Sequence, residues 1–200
     1  LQNDGSPFMG GNAQRNVVTA AMKSAVKTSS EIREEQRNFN VLCAPGYVEL
    51  MADLVALNNE RRNTGFILGD APFRLAPTTT AINAYGLNSN SAATNGEDGL
   101  TTNNSFTGVY YPSGFTSDLA GNNVVVPPSH MALRVIALND DVAFPWFAPA
   151  GTRRGVVDNA TAVGFIDSTS GEFQTTSVTE SVRDSMHGAK VNPITFFSGS

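Results

Sequence analysis

Two short apolar runs separated by a helix-length segment constrain the fold of this chain more than any other feature. Residues 40–44 (NVLCA) are closed by Pro45 and Gly46, and residues 65–70 (GFILGD) form the second run. Continuous apolar strands are typical of parallel sheets, because such strands are covered by helices on both faces. The three- and four-residue spacing of apolar residues between them predicts a helix over residues 47–61. The sequence therefore predicts a parallel βαβ unit.

The rest of the pattern predicts an α/β fold with a mixed, mostly parallel sheet, flanking helices and long polar loop insertions. Further helices are predicted at residues 13–37, 79–85, 130–138 and 179–188. Further strands are predicted at residues 109–112, 123–126, 155–157, 162–167 and 191–197. Residues 77–107 are dominated by Thr, Asn, Ser and Gly, which predicts a long surface loop that contains only one short helix.

The N-terminal part is distinct from the rest. We interpret residues 1–40 as a tail and a helix that packs on or leads into the core, and residues 41–200 as one core domain. In the N-terminal helix, the residues predicted to face the core are Val17, Val18, Ala21, Ala25 and Val26.

Charge and composition argue against several classes of protein. Thirteen basic and eighteen acidic residues give a net charge of −5, without the clustered Lys and Arg typical of direct nucleic-acid binding. No apolar run approaches the roughly 18 residues of a membrane span. Cys43 is the only cysteine and is expected to be a small buried core residue. With two histidines besides, we expect no metal site and no cofactor.

Two polar residues next to apolar segments are weak candidates for catalysis. Ser129 precedes His130, but adjacent residues at a helix start diverge, so Ser129 is better interpreted as the helix N-cap. Asp70 follows an apolar strand, and we expect it to cap the turn before Ala71 and Pro72. No catalytic residue and no enzyme activity are therefore expected. A small α/β hydrolase is the alternative, and it requires Ser129, His130 and an aspartate to converge.

The aromatic segment FPWFAPAGTRRG, residues 144–155, is the best candidate for a binding site. Trp146, Arg153 and Arg154 lie on one Pro- and Gly-rich loop. Arginine makes directional pairs with carboxylates, and Trp and Arg are enriched at the centres of protein interfaces. These three residues could form an intersubunit contact. The alternative is that the aromatic residues are core and the arginines are solvated.

Several ordered segments resemble the tail-sheath family of contractile phages and related injection machines. They are VLCAPG (41–46), FILGDAP (66–72), VYYP (109–112), VVPPSHMA (125–132), FPWFAPAGTRRGVV (144–157) and VNPI (191–194). His130 departs from the glycine that the family often has at this place in its helix start.

The resemblance implies a structural, non-catalytic subunit of a contractile tail sheath. Such subunits form rings, expected to be six-fold, that stack helically around a tail tube and contract to drive injection. It implies neighbouring sheath subunits as partners, a location in the phage virion tail, and assembly in the host cytoplasm. Contact with the tube would fall to a C-terminal domain that lies beyond these 200 residues. A sheath subunit of a secretion system or bacteriocin particle is an equally open alternative.

Overall fold

A four-stranded parallel sheet forms the centre of the protein. The computed structural model describes residues 10–87, 99–100, 103–144 and 146–195. Numbered along the chain, the strands are β1 (Val41–Cys43), β2 (Phe66–Asp70), β3 (Thr107–Tyr111) and β8 (Val191–Pro193). They lie in the order β1-β2-β3-β8, and each neighbouring pair is parallel. Because helix α2 (Met51–Glu60) joins β1 to β2, the predicted βαβ unit is confirmed.

Both faces of β2 are covered, as is typical of a strand in a parallel sheet. Successive side chains of a strand point to opposite faces, and Ile67 and Leu68 of β2 are 0% and 1% exposed. The core around the sheet is completed by α2, by α3 (Thr79–Gly86) and by α6 (Glu180–Gly188). The last two approach closely, since a Cβ atom on Gly86 would stand 2.3 Å from the Cβ of Ala189.

A second, antiparallel sheet accounts for the mixed character of the fold. Its strands are β4 (Ser113–Ser117), β5 (Asn123–Val126), β6 (Ala162–Ile166) and β7 (Phe173–Thr175), in the order β5-β4-β6-β7. Only Pro112 separates β3 of the first sheet from β4 of the second. A hydrogen bond of 2.7 Å from the Ile166 amide to the Phe73 carbonyl also joins the second sheet to the loop after β2.

The N-terminal helix α1 (Gly10–Thr28) packs on α2 with a different face from the one predicted. Thr19 is buried, whereas Val17 and Val18 are 70% and 43% exposed. Two ion pairs also hold α1 in place, one from Arg15 to Glu49 in the turn before α2 at 2.7 Å and one from Lys27 to Asp53 of α2 at 3.3 Å. Of the predicted apolar stripe, Val26 packs against the core. The prediction is wrong for its other four residues, which are exposed.

The predicted helix over residues 13–37 is also too long, because two arginines hold the chain in an irregular path. Arg33 donates to the carbonyls of Val26 and Ser29 at the end of α1 and pairs with Glu60 of α2. Arg61 donates to the carbonyls of Ile32, Glu34 and Arg37. Only a single helical turn, Glu31–Arg33, remains beyond α1.

The other elements follow the predictions with shifted ends. Helix α4 runs from Pro128 to Val142, four residues beyond the predicted end at residue 138, and α5 (Gly151–Arg154) is a single turn. Residues 155–157 are not a strand, and β4 and β7 were not predicted. Of the predicted loop 77–107, residues 88–98 and 101–102 lie outside the described residues, as do residues 196 and 197 of the last predicted strand.

Candidate functional site

The loop between α4 and α5 carries a cluster of exposed aromatic residues. α4 ends where the Ala143 amide donates to the Asn139 carbonyl at 2.9 Å. The Asn139 side-chain amide then donates to the Phe147 carbonyl at 3.0 Å, and the Phe147 amide donates to the Phe144 carbonyl at 2.9 Å. These bonds fix the loop backbone against α4, so its side chains have a defined position.

Three aromatic rings on this loop pack against each other and not against the core. The rings of Phe144 and Trp146 are stacked almost parallel, with centroids 4.8 Å apart. The Phe147 ring lies 6.1 Å from the first and 6.5 Å from the second. Phe144 is 60% exposed, Trp146 76% and Phe147 41%. The interpretation of these residues as core is therefore excluded.

The two predicted arginines lie beside the rings. Gly151, at φ +77°, provides the left-handed backbone from which the turn of α5 begins, and the Gly155 amide closes that turn on the Gly151 carbonyl. The guanidinium of Arg154 lies 4.4 Å above the Phe147 ring, a cation–π contact. Arg153 is exposed, and within the described part of the chain neither arginine forms an ion pair.

We call Phe144, Trp146, Phe147, Arg153 and Arg154 the aromatic–arginine surface. The structure thus brings the three predicted contact residues onto one exposed surface, where Phe147 bridges Trp146 and Arg154. Sequence reasoning missed Leu138 and Val142, which are 37% and 65% exposed on the adjoining end of α4. Their four-residue spacing was the available signal. Exposed apolar patches with aromatic and arginine side chains are typical of protein-binding sites.

Asp70 forms a second cluster, which is buried at the end of β2. Its Oδ1 accepts from the Ser129 amide at 2.6 Å, and its Oδ2 accepts from the Gly46 amide at 2.8 Å and the Ser129 hydroxyl at 2.9 Å. Burial raises the pKa of Asp70 above its usual value, although the three hydrogen bonds act in the opposite direction. We call Gly46, Asp70 and Ser129 the Asp70 junction.

The junction corrects the roles predicted for Asp70 and Ser129. Asp70 does not cap its own turn but accepts from two segments distant in sequence. Ser129 is not the N-cap of α4; Pro127 is, and Ser129 lies in the first turn with its hydroxyl turned to Asp70. The Asp70 carboxylate instead accepts a hydrogen bond from a free backbone amide at the start of α4. An anion in this position is favourable because the N-terminus of a helix carries partial positive charge.

The groups that the hydrolase alternative requires do not converge. Ser129 is 1% exposed and donates its hydroxyl to Asp70. His130 is exposed, and no hydrogen bond in the described residues joins its ring to Ser129. Cys43 is half-buried, and burial, with the nearby charge of Asp70, raises the pKa of its thiol and favours the unreactive protonated form.

The described residues contain no group of three or more His, Cys, Asp or Glu side chains that could hold a metal ion. Within the same residues, no helix has both the length and the apolar character that crossing a membrane requires. Neither a known protein-family profile nor any curated protein sequence matches this chain.

Proposed function

We propose that this chain is a structural subunit of a contractile phage tail sheath, which polymerises helically around the tail tube and contracts to drive injection. The observation that carries the proposal is the aromatic–arginine surface, because it lies within residues 144–157, the longest of the segments that resemble the sheath family. A subunit that assembles through side chains needs exposed apolar and charged groups in a fixed geometry, and this surface supplies both.

The buried segments support the same proposal in a different way. Three of the resembling segments, VLCAPG, FILGDAP and VVPPSHMA, contribute Gly46, Asp70 and Ser129 to one junction. These residues hold one loop and one helix start to the end of β2. On this view they keep the subunit rigid, and the exposed loop makes contact with neighbours.

The mechanism we propose is mechanical. Copies associate through two different surfaces, which generates a helical tube, expected to be built from stacked six-fold rings, rather than a closed dimer. Contraction is a change between two packings of nearly rigid subunits, and the work comes from the difference in interface free energy between them. No residue has a catalytic role in this proposal. The assembled protein would be located in the virion tail after assembly in the host cytoplasm.

A subunit of a related secretion system or bacteriocin particle would use the same surface and the same mechanism. The hydrolase alternative receives no support, since Ser129 is buried and its hydroxyl donates to Asp70.

Electron microscopy of the full-length protein tests the proposal. We expect tubes or stacked rings, and we expect Trp146→Ala to abolish them. A full-length product that remains a dispersed monomer, or that hydrolyses a model ester with a rate lost in Ser129→Ala, would overturn the assignment.

A further inference from the structure

Two exposed charges of opposite sign lie at the aromatic–arginine surface. Asp141, near the end of α4, and Arg153 are both exposed, and in the described part of the chain neither forms an ion pair. Arg154 differs from Arg153, because its guanidinium already lies on the Phe147 ring. One edge of the surface therefore offers a carboxylate and another a guanidinium, and these two groups form directional pairs with each other.

The fold places Asp141 on the side of α4 along which the arginine segment returns. Arg134, on α4, pairs with Asp158 at 3.1 Å, so the segment after α5 runs along this side of the helix. Seven residues make about two turns of an α-helix, so Asp141 lies on the same side as Arg134. Asp140 is displaced from Asp141 by about 100° around the helix axis. Asp141 thus lies at the edge of the aromatic–arginine surface, whereas Asp140 lies outside it.

The apolar part of the surface is large enough for a weak interface. Phe144 and Trp146 are mostly exposed, and Leu138 and Val142 extend the patch along α4. Aromatic side chains bury roughly 150–250 Å² each, so the exposed parts of the rings and of these two aliphatic residues offer roughly 500 Å². A standard interface covers roughly 800 Å² of each partner, so this patch supports a weak dimer with a Kd on the order of 10 μM.

We propose that the aromatic–arginine surface binds the same surface of a second copy around a two-fold axis. The rings of the two copies pack at the centre of the contact, and Asp141 of each copy pairs with Arg153 of the other. Because the patch carries both members of this ion pair, it complements itself, and the pair forms twice in the dimer.

The dimer goes beyond the proposed function. A contact between identical surfaces closes after two copies, unlike the head-to-tail contacts that build a helical tube. In the proposed sheath, the dimer is therefore the unassembled form of the subunit. It covers the exposed rings, which otherwise favour non-specific association, and it dissociates before the surface contacts a neighbour in the tube.

Charge exchange tests the ion pair. Asp141→Arg and Arg153→Asp are each expected to weaken dimerisation roughly tenfold or more, because like charges then meet at both ends of the interface. An equimolar mixture of the two variants is expected to recover dimerisation as a one-to-one heterodimer, and so is the chain that carries both substitutions. Asp140→Arg is the matched control, since it makes the same charge change outside the surface. Sedimentation equilibrium of the 200-residue chain measures each association constant.

Trp146 reports on the contact directly, because it is the only tryptophan of the chain. Its ring is 76% exposed in a single copy, so we expect its fluorescence emission to shift to shorter wavelength as the concentration rises through the Kd. Trp146→Ala is expected to weaken dimerisation roughly tenfold or more, as for a central interface tryptophan. Leu119→Ala is the matched control, because Leu119 is fully exposed on the β4–β5 turn, and it should leave the association constant unchanged.

Three results would overturn the dimer. The first is a native chain that stays monomeric at about 0.5 mM, well above the expected Kd. The second is association that continues beyond two copies or leaves the Trp146 emission unchanged, since either means a different contact. The third is a mixture of the Asp141→Arg and Arg153→Asp variants that does not recover dimerisation. In each case tubes of the full-length protein would leave the sheath assignment standing, whereas a dimer without tubes would overturn that assignment alone.

Discussion

The Asp70 junction and the aromatic–arginine surface are built from similar sequence and have opposite positions in the fold. Both come from short segments rich in Pro, Gly and Ala that follow or precede regular elements. The junction is buried, with Ser129 1% exposed, whereas Trp146 is 76% exposed. Loop composition therefore does not indicate whether a segment holds the fold together or faces a partner. Hydrogen-bond partners from distant segments make that distinction.

The largest effect should come from removing the acceptor at the junction. Asp70→Ala leaves the Gly46 and Ser129 amides and the Ser129 hydroxyl without their acceptor, so we expect the free energy of unfolding to fall by about 3 kcal/mol. Urea denaturation measures this change in the free energy of unfolding. Asp140→Ala, at an exposed position, is the matched control and should change stability by less than about 0.5 kcal/mol. If the two substitutions lowered stability equally, the view that the Asp70 junction holds the fold together would be wrong.

A smaller loss is expected when only one donor is removed. Ser129→Ala deletes the hydroxyl that donates to Asp70 but keeps the amide bond, so we expect a loss of about 1.5 kcal/mol. The same denaturation experiment gives the value. A loss as large as that of Asp70→Ala would mean that the hydroxyl, and not the carboxylate, organises the junction.

The pH dependence of stability gives a third comparison. Because burial raises the pKa of Asp70, the folded chain holds this proton more tightly than the unfolded chain. The contribution of the bound proton to folding stability is fully present below the unfolded pKa of about 4, and it is lost as the pH rises through the pKa of the folded chain. Relative to Asp70→Asn, which cannot titrate, the native chain should therefore gain stability as pH falls toward about 4. The opposite slope would show that the hydrogen bonds outweigh burial.

The smallest effect on stability is expected at the exposed surface. Arg153→Glu with Arg154→Glu removes one cation–π contact and no ion pair of the described residues, so the monomer should lose less than about 1 kcal/mol. Its thermal midpoint should be almost unchanged while assembly is impaired. A strongly lowered midpoint would assign these arginines an internal role.

Sequence patterns predicted the parallel βαβ unit because β1 and β2 lie in short apolar runs on either side of a helix-length segment. Continuous apolar residues identified β2, and three- and four-residue spacing identified α2. β4 was missed because SGFTS is mostly polar and gains its strand character only from pairing with β5 and β6. The junction was missed for a similar reason, since Asp70 and Ser129 are 59 residues apart and meet only in the folded chain.

The single residue between β3 and β4 has a consequence for how the protein responds to force. Pro112 is the whole of the first chain connection between the two sheets. The second connection runs from β7 through α6 to β8, and the Ile194 amide, just after β8, donates to the Tyr111 carbonyl at 2.7 Å directly beside Pro112. The first connection has no slack, so a pull on β3 is delivered through covalent backbone to β4. In the proposed sheath, torque applied at the aromatic–arginine surface should therefore rotate a subunit as a stiff lever, so that contacts between copies yield before either sheet deforms.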